Sequence, residues 1–133
     1  MIVSLENWGC GSSREHAAWA MQDYGIRSII AISFADIHYN NCCKNGILPV
    51  RLAPYEVAQV MRVAEAGEEI TVDLITCCVE IANGTKFFFE IDDFRRNSLL
   101  NGMDEIDQTN TQLDKIIEFE RQYRNKVPWL FNR

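Results

Sequence analysis

The sequence predicts a mixed α/β domain, and two observations lead to that prediction. In the first half of the chain, short apolar runs rich in isoleucine alternate with segments that open on helix-capping residues, which is typical of strand–helix units. In the second half, three strand-like runs follow one another, with the hairpin-turn pair Asn83–Gly84 between the last two. The predicted order is strand, helix, strand, helix, strand and helix, then a β-meander, then further helices.

Six short segments rich in isoleucine, valine, leucine or phenylalanine are predicted as strands. They cover residues 2–5, 26–32, 47–50, 69–74, 76–81 and 85–91. The first two strands are each followed by a predicted helix, so the loops after them are strand-to-helix turns. Such turns are the positions where open α/β sheets tend to bind ligands.

Five segments are predicted as helices. They begin and end near residues 12–25, 33–44, 54–67, 93–100 and 111–124. The first is expected to begin at Ser12, because Ser12 and Glu15 have the spacing of a capping box. Ser33 gives the second helix a similar cap-like start, and Pro54 suits the first turn of the third.

Length and composition narrow the class of protein. With 133 residues, 47% of them hydrophobic, we expect one domain over residues 1–133 with a real core, and a loose tail over residues 126–133. The net charge of −6, without a basic patch, argues against a nucleic-acid partner. No apolar run approaches the roughly 20 residues of a membrane span, and no signal peptide is recognisable. Five cysteines without a CxxC pair predict free thiols in a reducing cytoplasm and no metal site in this chain.

The segment most informative about function is the glycine-rich loop before the first predicted helix. Free backbone N–H groups and the helix dipole favour an anion there, and Arg14 could bind a small carboxylate through two hydrogen bonds. The Ser12 hydroxyl, lying among these donors, could serve as a proton acceptor. On these residues alone the simpler alternative stays open, in which Ser12 is a helix cap and Arg14 a solvated surface residue. His16 does not complete a triad, because no acid is placed to orient it.

Residues 9–17 read Gly-Cys-Gly-Ser-Ser-Arg-Glu-His-Ala, and this run resembles a signature of the aconitase swivelling domain and of isopropylmalate isomerase small subunits. Further matches follow in the same order over nearly the whole chain, and they fit the bacterial type of small subunit. They are Asp23-Tyr-Gly-Ile-Arg, Ser33-Phe-Ala-Asp-Ile, Tyr39-Asn-Asn-Cys, Lys44-Asn-Gly-Ile-Leu-Pro-Val, Thr71-Val-Asp-Leu, Phe89-Glu-Ile-Asp, Phe94-Arg-Arg and Leu99-Leu-Asn-Gly-Met-Asp-Glu-Ile.

The resemblance implies a fold and an activity. The fold would be the three-layer swivelling β/β/α domain of the aconitase type, lacking its N-terminal strand or strands. The activity would be that of a hydro-lyase which interconverts 2-isopropylmalate and 3-isopropylmalate in leucine biosynthesis, in the cytoplasm and only together with a large subunit. That large subunit would hold a [4Fe-4S] cluster, one iron of which acts as a Lewis acid on the hydroxyl of the dicarboxylic acid substrate.

The resemblance also assigns roles within the loop. Ser12 matches the serine proposed as the proton-abstracting base, and Arg14 matches the arginine that binds a substrate carboxylate. Ser13 lies beside them and would help to bind the substrate. The loop that supports these residues contains Gly9, Cys10 and Gly11.

Several differences from the family pattern leave alternatives open. The N-terminal segment, with the loop credited with choosing the substrate side chain, is absent from these residues. A related hydro-lyase acting on homoaconitate, a citramalate-type acid or dimethylmalate therefore remains an alternative, as does an inert, truncated binding module. An exposed sheet edge would also permit self-association. His38 stands where the family usually has an aromatic residue, and it is expected at the surface of its helix.

Overall fold

The structure is a computed structural model that describes residues 1–131, apart from the side chain of Glu105. The chain divides into two compact units, residues 1–102 and residues 103–133. The single domain over residues 1–133 and the loose tail from residue 126 stay predictions. Residues 132 and 133, at the end of that tail, lie outside the described residues.

The first unit combines helices with two three-stranded sheets, which confirms the predicted α/β class. The parallel sheet has the order β1 (Ile2–Val3), β2 (Ser28–Ala31), β3 (Leu48–Arg51). The antiparallel sheet has the order β4 (Ile70–Asp73), β5 (Cys78–Ile81), β6 (Lys86–Phe88). The helices are α1 (His16–Asp23), α2 (Asp36–Lys44), α3 (Pro54–Glu65) and α4 (Asp93–Asn101).

The layers of the first unit can be read from strand β2, whose side chains point alternately into two separate apolar clusters. Ile30 packs in a cluster that includes residues of α3 and of the antiparallel sheet. Ile29 and Ala31 pack on the opposite face, in a cluster with residues of α1 and α2. The parallel sheet is therefore the middle layer, covered by α1 and α2 on one face and by the antiparallel sheet with α3 on the other.

The antiparallel sheet forms as its sequence predicts. Gly84 has a positive φ of 82°, and its N–H donates to the Ile81 carbonyl at 2.8 Å, so the predicted turn between β5 and β6 is confirmed. Beyond the turn, Phe87 and Phe89 are 6% exposed, whereas Phe88 between them is 70% exposed. This alternation buries one face of the strand against the core.

Both predicted serine caps are wrong. Helix α1 begins at His16 instead of at Ser12, and the side chain of its N-cap residue, Glu15, makes no capping hydrogen bond. Helix α2 begins after Ala35, while the Ser33 hydroxyl accepts a hydrogen bond from the Asn7 N–H at 2.7 Å. The Ser12 hydroxyl instead accepts from the Arg14 N–H two residues on, within the loop. The Ser33 contact spans 26 positions, which a local spacing rule does not detect.

The second unit is helical where the structure describes it. It contains α5 (Glu105–Asn110), α6 (Leu113–Lys126) and a short 3-10 helix (Pro128–Leu130). Helix α5 was not predicted from the sequence, although Asp104 caps it by accepting a hydrogen bond from the Asp107 N–H at 2.7 Å. Within residues 1–131, the chain forms no helix with the length and apolar character that crossing a membrane requires.

Candidate active site on the loop between β1 and α1

The loop that follows β1 continues the parallel sheet beyond its strands. The Trp8 N–H donates to the Ser33 carbonyl at 2.9 Å, and the Ala35 N–H donates back to the Trp8 carbonyl at 2.9 Å. Trp8 and Phe34 thus form an isolated parallel bridge. These hydrogen bonds fix the loop at the carboxyl end of β2, where open α/β sheets place their ligand sites.

Two residues with positive φ flank the bridge residue Trp8 and turn the chain there. Asn7 has a φ of 55° and Gly9 a φ of 84°. The reversal brings the Ser12 N–H to 3.4 Å from the Gly9 carbonyl, so Ser12 is placed through Gly9. Cys10 and Gly11, which complete the turn, are exposed. The three predicted supporting residues therefore do form one tight turn before Ser12.

Gly9 is required by a close contact as well as by its backbone angle. A Cβ built on Gly9 would lie 2.2 Å from Cγ of His38, a distance that side-chain atoms do not tolerate. His38 comes from α2 and is 3% exposed, so the prediction that it lies at the surface is wrong. The sequence carried a signal for this: His38, Tyr39 and Cys42 have the i, i+1, i+4 spacing of a buried helix face.

The three predicted site residues lie together in the segment just before α1. The Ser12 hydroxyl is half-buried and accepts a hydrogen bond from the Arg14 backbone N–H at 3.2 Å. Ser13 and Arg14 are exposed, and the Arg14 guanidinium makes no ion pair with any side chain that the structure describes. Arg14 is thus free to bind an anion beside the Ser12 oxygen.

Ser12 also borders a cleft of about 260 Å³ between the loop and the two helices. The cleft is lined mainly by apolar groups, including Trp8, Ala17 and Met21. The Ser12 oxygen therefore lies beside an open, largely apolar surface. The roles of Ser12, Ser13 and Arg14 nevertheless stay predictions.

The start of α1 is held by a residue that the sequence did not single out. The Glu15 carboxylate accepts a hydrogen bond from the Asn45 side-chain amide at 2.8 Å, and Asn45 is the C-cap residue of α2. The same amide donates to the Asn41 carbonyl at 2.9 Å. Asn45 lies 30 residues from Glu15, so no local sequence pattern links them.

The residues available to a metal are scattered. No three histidine, cysteine or acidic side chains within residues 1–131 are grouped so that they could hold a metal ion. All five cysteines are free thiols, and burial raises the pKa of Cys42 to about 12 and that of Cys43 to about 11. A thiol with so high a pKa is protonated near neutral pH and is a poor metal ligand. These residues do not fit an iron–sulfur cluster.

Comparison with known proteins identifies the class of the fold. Residues 1–55 match the model of the aconitase C-terminal domain. The structure superposes on a crystal structure of 3-isopropylmalate dehydratase from Methanocaldococcus jannaschii with a TM-score of 0.66, at 29% sequence identity, over 90% of this chain and 66% of that one. The fold is that of an aconitase-type swivelling domain, as the sequence motifs implied. Its loop over residues 4–15, between β1 and α1, is named the serine loop after Ser12.

Curated relatives then narrow the family. The chain is 50% identical to the 3-isopropylmalate dehydratase small subunit of Marinobacter nauticus and 47% identical to that of Neisseria gonorrhoeae, over 99% of its own length in each case. It spans 62% and 63% of those two relatives, and 98% of a 46% identical small subunit from Neisseria lactamica. The chain belongs to the family of 3-isopropylmalate dehydratase small subunits.

Proposed function

We propose that the chain acts as the small subunit of a 3-isopropylmalate dehydratase, which interconverts 2-isopropylmalate and 3-isopropylmalate by removing and re-adding water. The observation that carries the proposal is an identity of 46–50% to small subunits over 99% of the chain, including the whole serine loop. The chain would work in the cytoplasm with a large subunit and would belong to leucine biosynthesis.

The proposed role of Ser12 follows from its contacts. Dehydration breaks a C–H bond on one carbon and the C–O bond on its neighbour. The electron pair of the C–H bond forms the double bond, and a proton and a hydroxide leave, which together make one water. Ser12 Oγ would take the proton from carbon. The Arg14 N–H already donates to that oxygen, which stabilises the negative charge it carries before it accepts the proton. Rehydration at the other carbon, with the proton returned, completes the isomerisation.

Arg14 and Ser13 would hold the substrate. The exposed Arg14 guanidinium can accept a carboxylate in a bidentate geometry, and the Ser13 hydroxyl lies next to it in the chain. The [4Fe-4S] cluster that the family resemblance implies is proposed to belong to the large subunit. With the cluster on the large subunit, this chain would accept the proton and bind the substrate carboxylate.

An anaerobic assay with a cluster-loaded large subunit tests the proposal. We expect turnover of isopropylmalate by the native chain and a loss of about 100-fold or more in Ser12→Ala. Ser98→Ala is the matched control, because the Ser98 hydroxyl bonds the Phe94 carbonyl within α4, and it should keep full activity. Turnover of homoaconitate, a citramalate-type acid or dimethylmalate instead would make the chain a subunit of a related hydro-lyase. Binding to the large subunit without turnover of any of them would make it a binding module.

Arg14→Lys separates charge from geometry at the same site. Lysine keeps the positive charge but cannot form the bidentate pair, so we expect KM to rise by about tenfold or more with a smaller change in kcat. Arg62→Lys, at an exposed position of α3, is the matched control and should leave both constants unchanged. An unchanged KM in Arg14→Lys would exclude Arg14 as the carboxylate ligand.

A further inference from the structure

Beneath the serine loop, α2 presents a histidine that the proposed reaction does not use. His38 is 3% exposed, and its Nδ1 is buried without a hydrogen-bond partner among the residues that the structure describes. Its Nε2 lies 3.4 Å from Cys42 Sγ. A buried polar nitrogen without a partner is costly, so its retention here calls for an explanation.

The imidazole is in direct contact with the backbone that places Ser12. The His38 side chain is packed so closely on Gly9 that a Cβ there would lie within 2.5 Å of the ring atoms Cγ and Cδ2 and of His38 Cβ. Gly9 in turn accepts the hydrogen bond from the Ser12 N–H at 3.4 Å. A movement of the ring would therefore move Gly9, and with it the segment that carries Ser12.

We propose that His38 is a positioning residue of the serine loop: its neutral ring supports Gly9 and so holds Ser12 in place, and protonation of the ring releases the loop. The part that concerns Ser12 as a base rests on the proposed function.

The surroundings of His38 favour the neutral ring. Cys42 is the ionisable group in contact with it, and the pKa of Cys42 is raised by burial to about 12, so it offers no negative charge near neutral pH. The loop contributes Trp8 to the lining of the cleft, and α1 contributes Ala17 and Met21. None of these three side chains ionises. A protonated His38 would thus be a buried cation without an acceptor for Nδ1.

The direction of the pH effect follows from burial, which lowers the pKa of His38 below its ordinary value of 6.5. The unfolded chain, or a chain with an open loop, binds the proton more readily than the packed ring does. The packed state is therefore fully stable above about pH 6.5 and loses stability as the pH falls through and below that value.

Amide hydrogen exchange of the full chain, measured by NMR from about pH 8 to about pH 5, tests the proposal. The reporters are the Trp8 and Ala35 amides, which bond across the loop, and the Ser4 amide, which bonds the Ile30 carbonyl at 2.8 Å, is the internal reference. We expect the protection of the two reporters to fall by about tenfold or more on acidification while that of Ser4 stays level. The fall in protection should follow the titration of the His38 ring, which is observed directly through its NMR signals. Because the chain has two histidines, the signals that remain in His16→Asn are those of His38.

Two variants at the same position complete the test. His38→Phe keeps a ring without a proton, so the reporters should stay protected throughout the pH range. His38→Ala removes the ring, so their protection should be low at every pH. The same acid-dependent fall in His38→Phe as in the native chain, or a fall in the native chain that does not follow the His38 titration, would overturn the proposal.

Turnover by the reconstituted enzyme tests the proposed function separately from the role of His38. In the reconstituted enzyme, His38→Phe should match the native kcat near neutral pH and lose less activity on acidification than the native chain does. If the exchange results hold but no isopropylmalate is turned over, the proposed function fails and the positioning role stands. If turnover is normal but the exchange results fail, the positioning role fails alone.

Discussion

The two faces of the parallel sheet are packed in different ways. The face toward the antiparallel sheet is buried entirely by apolar side chains, and ten of them form one continuous cluster. The face toward α1 and α2 includes Tyr39 and Cys42. Beside them lie two buried nitrogens, Trp8 Nε1 and His38 Nδ1, that have no hydrogen-bond partner within the described part of the chain. The first face stabilises the fold through apolar burial alone. On the second face, the two nitrogens under the serine loop are buried without hydrogen bonds from the described residues, which costs stability.

The difference coincides with the proposed site. Buried polar groups without partners persist only where the surrounding structure holds them, and they concentrate at functional sites. Here the two nitrogens lie under the loop that carries Ser12 and Arg14. Three substitutions can break or sharpen the comparison, and their expected effects decrease in order.

The largest effect is expected in the apolar face. Phe87 is 6% exposed and packs against the cluster from β6, so Phe87→Ala should lower the free energy of unfolding by about 3–5 kcal/mol. Phe88→Ala, one residue further along the same strand, removes a side chain that is 70% exposed and should cost less than about 1 kcal/mol. Urea denaturation of the two variants measures both values, and equal losses would mean that the sheet is not buried on one face only.

A smaller effect is expected at the loop. Gly9→Ala introduces a Cβ at a φ of 84° and against the His38 ring, and should cost about 2–4 kcal/mol. Gly25→Ala meets the same backbone strain, at a φ of 90°, but nothing lies within 4 Å of its Cβ, so about 1–2 kcal/mol is expected. Combining Gly9→Ala with His38→Ala should recover part of the difference. No recovery in this double variant would show that the imidazole ring is not the group that limits a side chain at Gly9.

The smallest effect concerns the start of α1. Asn45→Ala removes the hydrogen bond to the Glu15 carboxylate and should cost about 1 kcal/mol, because the pair is only partly buried. Asn101→Ala is the control: its amide bonds the Asn97 carbonyl within α4, and a change of no more than about 0.5 kcal/mol is expected. Thermal unfolding of the two variants measures both losses of stability. Equal losses would show that Asn45 does not anchor the start of α1.

The sequence was sufficient where structure is determined locally. The Asn83–Gly84 turn and the alternation around Phe88 depend on residues within a few positions of one another, and the meander formed as predicted. The β2 strand was also recognisable, because a run of isoleucine buried on both sides is rarely anything else. Composition and periodicity thus predicted the α/β class, and the motifs predicted the family.

The sequence was insufficient where distant residues meet. Ser33 had the appearance of a helix cap, yet its hydroxyl binds Asn7, 26 positions away. Glu15 had the spacing of a capping box, yet it binds Asn45. His38 was assigned to the surface because a polar residue on a short helix usually lies there, and only the fold shows that it supports Gly9. In each case the prediction assumed a local role for a side chain that makes a long-range contact in the structure.

The most direct test of the account is to measure the stability and the activity of Ser12→Ala together. Ser12 does not cap α1, and its hydroxyl accepts one hydrogen bond, at 3.2 Å, from the residues that the structure describes. The free energy of unfolding of Ser12→Ala should therefore stay within about 0.5 kcal/mol of the native value. Turnover with the large subunit should fall by about 100-fold or more. A loss of about 1 kcal/mol or more in stability with turnover unchanged would make Ser12 a structural cap, and would contradict the account.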